Sequence, residues 1–166
     1  MKNASKPRFI PIWCGSKAEI SQDGKVVTKV TGVQNYSEDY DCAVLGTPCY
    51  RFKVKLLQKC NSLMIGMASD AMLFQKDGES WVNNGVYLAC DTGSLYGENG
   101  ISNQLYLEEP CNADGTTIEV VYENEKVYFI VDGVNRGTAF EIGGEVTAMY
   151  PAFELYEEGC SVEFIE

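Results

Sequence analysis

No stretch of the chain sustains the i, i+3, i+4, i+7 apolar spacing that an amphipathic helix needs to bury one face. Short apolar or alternating runs recur instead, each closed by Gly, Asn, Asp or Pro. A chain written this way builds its core from strands. In YRFKVKLL, Tyr50, Phe52, Val54 and Leu56 alternate with Arg51, Lys53 and Lys55. That period of two predicts one face in the core and a cationic face outside. SLMIGMAS (62–69) is apolar at both parities and predicts a central strand. AEISQD, an Asp23-Gly24 turn and KVVTKV predict a hairpin with two residues between its strands. GVYLACDTG and SLYG predict a further strand pair, and TTIEVVYE, KVYFIVD, TAF, YPAFELY and SVEFI follow. Turn signals about every ten residues predict an all-β sandwich of two antiparallel sheets.

The 166 residues fit one domain, and no Ser/Pro/Gly linker or low-complexity tract divides them. The division expected is a loose N-terminal segment over 1–12 and one domain over 13–166. Asp and Glu outnumber Lys and Arg by 24 to 13, a formal charge of −11. A field of that sign repels phosphate, which argues against nucleic acid and anionic membrane as partners and favours a basic peptide. Histidine is absent from the sequence. That removes the commonest general base, the commonest metal ligand and every Ser-His or Cys-His nucleophile pair.

Seven cysteines stand at 14, 42, 49, 60, 90, 111 and 160, with no CxxC among them. Zinc ribbons and thioredoxin-like sites need close pairs, and most of these cysteines lie inside apolar runs. They read as small buried thiols in a reducing compartment. MKNASKPRFIPIW holds no apolar run long enough for a signal peptide or a membrane helix, so the expectation is a cytoplasmic or nuclear protein.

The order of the segments carries more than any one of them. Phe52–Lys55, Ile65–Ala68, Gly85–Gly97, Gly115–Phe140, Tyr150–Leu155 and Val162–Phe164 follow one another with compatible spacings. From Trp13 onward this set resembles the SPRY domain family, with KVYFIVDGVNRGTAF (126–140) as its signature hairpin. AEISQDGKVVTKV matches the strand pair that often precedes the family's core. Asp132-Gly133 stands where the family usually has Asn-Gly, and both dipeptides suit a type I′ turn. The segment between Met67 and Trp81 is short beside family members with well-described peptide-binding loops. The resemblance implies a bent antiparallel β-sandwich of concanavalin-like, jelly-roll type. It also implies a non-catalytic protein-interaction module or adaptor, binding a short peptide or a partner surface with loops at one end of the sandwich.

Rigid sheets position loops, and loops carry recognition. In VQNYSEDYDCA, Tyr36 and Tyr40 stand among carboxylates that include Asp39, a composition suited to an Arg- or Lys-containing peptide. Met72 and Phe74 lie in an apolar run beside charges. Tyr156 and Glu157 fall where peptide-binding members place the rim of their pocket. Asn135 and Arg136 follow the Asp132-Gly133 turn, and Arg136 offers a planar fork to a carboxylate. Trp81 matches a family tryptophan of the core. Glu108-Glu109 and Glu157-Glu158 are sequence neighbours, which face opposite ways on a strand and make poor acid/base pairs. No catalytic residue, metal site or cofactor is expected. Two alternatives stay open on the same fold, a carbohydrate-binding lectin and a glycan-cleaving enzyme. The first lacks the histidine its usual sites employ, and the second lacks an ExDxE-type strand.

Overall fold

The computed structural model describes residues 6–14, 17–31, 42–58, 60–70, 85–97 and 101–166, with residues 12 and 13 described by their backbone alone. Fourteen strands run through the described residues. They are β1 (Phe9–Cys14), β2 (Ala18–Ile20), β3 (Val26–Lys29), β4 (Cys42–Gly46), β5 (Arg51–Leu56), β6 (Leu63–Ser69) and β7 (Val86–Ala89). The chain continues with β8 (Ser94–Gly97), β9 (Gln104–Leu105), β10 (Thr117–Glu123), β11 (Lys126–Val131), β12 (Val134–Glu141), β13 (Met149–Leu155) and β14 (Ser161–Ile165). They form two seven-stranded sheets, β1-β4-β13-β6-β7-β8-β9 and β12-β11-β10-β5-β14-β3-β2. The strand pairs within both sheets are antiparallel. The expected two-sheet all-β sandwich is the observed architecture. The fold takes in residues from Phe9, ahead of the expected boundary at 13, because Phe9 is buried in the core.

Between the sheets lies a phenylalanine cluster drawn from both. Phe9 and Phe153 of the first sheet meet Phe164 of the second with ring centroids 4.4 Å and 5.8 Å from it, and Phe52 lies 5.8 Å from Phe153. Edge and tilted contacts of this kind add to what the buried area alone contributes.

The second sheet follows the predicted alternation. In β5 Phe52, Val54 and Leu56 are buried while Arg51 and Lys55 are exposed. Arg51 pairs with Glu119 across the β5–β10 register. Tyr50 departs from the expected inward face. It precedes the strand, is 52% exposed, and leans on Tyr122 at 5.8 Å. The β2–β3 connection is longer than the two residues expected. The strands stop at Ile20 and resume at Val26, because Ser21 both caps Val26 N–H through its Oγ at 3.0 Å and accepts from Gly24 N–H at 2.9 Å. Lys29 is buried in this sheet, and its ammonium donates to the Leu155 carbonyl at 3.1 Å.

The first sheet shows no alternation at its centre. β4, β6 and β7 are buried at every position. One parity faces the inter-sheet core, and the other forms a second apolar layer of Leu45, Met64, Ala68, Tyr87, Ala89 and Ala152. SLMIGMAS is the central strand its composition predicts, with β13 on one side and β7 on the other. Gly66 is required there, since a Cβ would sit 1.8 Å from the Val86 carbonyl oxygen.

The reading of the cysteines as small buried thiols is corrected at two positions. Cys60 and Cys160 are joined in a disulfide with Cα atoms 5.0 Å apart. The cause is register. Leu56 of β5 faces Val162 of β14, so the residues just past these strand ends lie side by side. Cys49, Cys90 and Cys111 are free thiols.

Candidate functional site

Antiparallel order sends alternate connections to opposite ends of the sandwich. One end gathers the segments 57–62, 90–93, 106–116, 132–133 and 156–160. Their backbones are stitched together by Cys111 N–H to Cys90 O at 2.8 Å, Cys60 N–H to Asn112 O at 3.1 Å and Leu57 N–H to Ser161 O at 2.9 Å. The other end gathers 21–25, 47–50, 124–125 and 142–148.

A groove of about 630 Å³ opens at the first end. One wall is the segment from Tyr106 to Cys111 with Ala113 and Thr116, and the other is the β11–β12 hairpin around its turn. Asp132 (φ +48°) and Gly133 (φ +81°) are both left-handed, as a type I′ turn requires. The Asp132 carboxylate accepts from Thr117 N–H at 2.9 Å, which ties the turn to the start of β10. The facing wall is fixed from behind, because Tyr106 and Leu107 N–H groups both donate to Gly93 O, at 3.1 and 2.9 Å.

Tyr106 also joins the walls. Its ring packs edge-on to Phe129 at 5.9 Å, and its hydroxyl donates to Gly137 O at 2.6 Å. Burial pushes its phenol pKa up, opposed by a backbone hydrogen bond from Phe129 and by the nearby Arg136 charge. Gly137 (φ +85°) forms the irregular part of the β12 edge, and its N–H is taken by Asn135 Oδ1 at 2.8 Å. Both polar groups of Gly137 are therefore occupied. That breaks the bare ladder an edge strand would otherwise present to another chain.

The predicted residues divide three ways. Asn135 and Arg136 line the groove, and both are exposed. Asn135 has a structural duty as well, since its side chain holds the β12 irregularity. Tyr156 and Glu157 belong to the same end but not to the groove lining. Tyr156 is buried, and Glu157 is half-buried and close enough to Asp91 to help raise that carboxyl's pKa, after burial, the larger cause. Tyr36, Asp39, Tyr40, Met72 and Phe74, with the tryptophan at 81, lie outside the described residues.

Sequence reasoning missed Glu108 and Glu109, which are exposed on the groove wall beside Pro110. As an acid/base pair they were set aside. They lie in a bend past the end of β9, not on a strand, and they set the charge of the groove wall; the available signal was Pro110, which follows them. The lining thus carries three carboxylates, Glu108, Glu109 and Asp132, against one cation, Arg136. Among the described residues no group of three Cys, Asp or Glu side chains is placed to hold a metal ion, and no helix is long and apolar enough to cross a membrane.

The antiparallel two-sheet β-sandwich is the fold of SPRY domains of known structure. The SPRY domain of human HERC1 superposes with a TM-score of 0.67 at 17% identity, covering 95% of this chain and 97% of that one. The Drosophila melanogaster neuralized NHR1 domain gives 0.65 at 13% identity, covering 98% and 99%. A further human SPRY domain gives 0.65 at 14% identity, covering 90% and 94%. No protein-family model matches the sequence, and no curated protein matches it. The likeness is carried by the fold alone.

Proposed function

We propose that the chain is a non-catalytic protein-interaction module that takes a peptide or partner surface with a basic residue into the groove between 106–116 and the 132–136 hairpin tip. The observation that carries this reading is the groove itself, a pre-formed cleft of about 630 Å³ whose lining sets three carboxylates against one arginine. A cleft of this size suits a few side chains of an extended ligand. Its charge matches the net −11 of the chain, which steers cationic partners toward it. Arg136 would fix orientation by taking a carboxylate or carbonyl of the same ligand. The SPRY-like fold supports the same role, since SPRY domains serve as interaction modules.

A peptide-display selection against the folded chain tests this. Lys- or Arg-bearing ligands are expected, and the Glu108→Lys/Glu109→Lys double variant should lose at least about tenfold in affinity, or about 1.4 kcal/mol. Selection of mostly acidic ligands, or unchanged affinity in the double variant, would overturn the proposal.

A further inference from the structure

Cys111 lines the groove, and Cys90 lies directly behind it, fully buried at the end of β7. Neither belongs to the disulfide. Cys111 N–H donates to Cys90 O at 2.8 Å, and the Cys111 side chain is close enough to raise the Cys90 thiol pKa. Residues joined by such a backbone bond stand about 5 Å apart at Cα, inside the window a disulfide needs.

We propose that Cys90 and Cys111 form a second oxidisable pair, a site for exchange with small-molecule disulfides such as glutathione disulfide, whose closure clamps one wall of the groove to β7. Cys111 reacts first because it belongs to the groove lining and keeps 5% of its surface accessible, whereas Cys90 keeps none. Its thiolate attacks one sulfur of the reagent, forming a mixed disulfide and expelling a thiolate that takes up the proton Cys111 released. The Cys90 thiolate then attacks the Cys111 sulfur, and the second reagent thiol leaves with the Cys90 proton. The protein pair loses two electrons, and the reagent is reduced to two thiols. The segment from 91 to 110, which includes most of that wall, becomes a closed loop. This proposal goes beyond the binding reading and does not depend on what the groove holds.

The test uses the full chain with Cys60–Cys160 intact, equilibrated with glutathione disulfide at graded ratios to glutathione, trapped by alkylation and mapped by mass spectrometry. A Cys90–Cys111 linked peptide is expected, with Cys14, Cys42 and Cys49 still alkylated. Cys90→Ser should leave glutathione on Cys111. Amide exchange over 106–111 should slow about threefold or more in the linked wild-type form. Alkylation of both Cys90 and Cys111 at every ratio, or linkage of Cys111 to another cysteine, would overturn the pair. A linked form with unchanged exchange would overturn the clamp.

Discussion

The two sheets bury their strands by different rules. β5 in the second sheet alternates buried and wetter positions, while β6 and β7 in the first are buried throughout. The second sheet thus has one face for the core and one for water. The first has an apolar layer on each side, with a fully buried tyrosine, Tyr87, in the layer away from the inter-sheet core. The difference assigns roles. The first sheet is a rigid base, and one end of the second carries the exposed hairpin that forms a groove wall against segments anchored on that base.

Glycine substitutions should break this contrast most sharply. Gly66→Ala places a methyl group on the Val86 backbone, which cannot move aside, so a loss of more than about 3 kcal/mol or no folded protein is expected in urea melts. Gly133→Ala meets nothing within 4 Å and suffers only the left-handed backbone, a cost of about 1–2 kcal/mol. Equal losses would erase the distinction between the sheets.

Side-chain truncation outside the inter-sheet core should follow the same order at smaller scale. Leu45→Ala, in the second apolar layer, should cost about 3 kcal/mol, whereas Lys53→Ala on the solvent side of β5 should fall within about 0.5 kcal/mol.

Alkaline pH should separate them least but still visibly. Burial raises the thiol of Cys49 to about 11, and it also raises Cys14 and the Tyr87 phenol. The Cys90 thiol is raised as well, first by the neighbouring Cys111 side chain and then by burial. All four lie in the first sheet or just past its strand ends, whereas the raised phenols of the second sheet, Tyr122 and Tyr128, are only half-buried. A group whose folded pKa is raised binds its proton more tightly when folded. Its stabilisation is therefore complete below the unfolded pKa near 9 and is lost as pH climbs through about 11. Chemical denaturation from pH 7 to 11 should show constant stability to about pH 8.5 and a decline above it. Stability that rises over that interval would contradict the burial of these groups.

The same contrast explains what the sequence revealed. Alternation exists only where one face is wet, so YRFKVKLL announced both its strand and its inward residues, and only Tyr50, outside the strand, escaped the pattern. SLMIGMAS announced a central strand without saying which side each residue faces, because both sides are dry. The hairpin tip was readable from Asp132-Gly133, and with it Asn135 and Arg136. Glu108 and Glu109 were not, because their place on the groove depends on a wall held to Gly93 and Phe129 by contacts distant in sequence. The Cys60–Cys160 bridge spans 100 residues and follows from the β5–β14 register, which no local spacing encodes.

The central claim is that recognition belongs to the groove end of the sandwich. Backbone amide shifts recorded while a selected basic peptide is titrated into the labelled chain test it directly. The largest changes are expected within 106–116 and 132–136, with 124–126 and 142–148 at the opposite end unmoved. Changes concentrated at the opposite end, with the groove amides unmoved, would contradict the account.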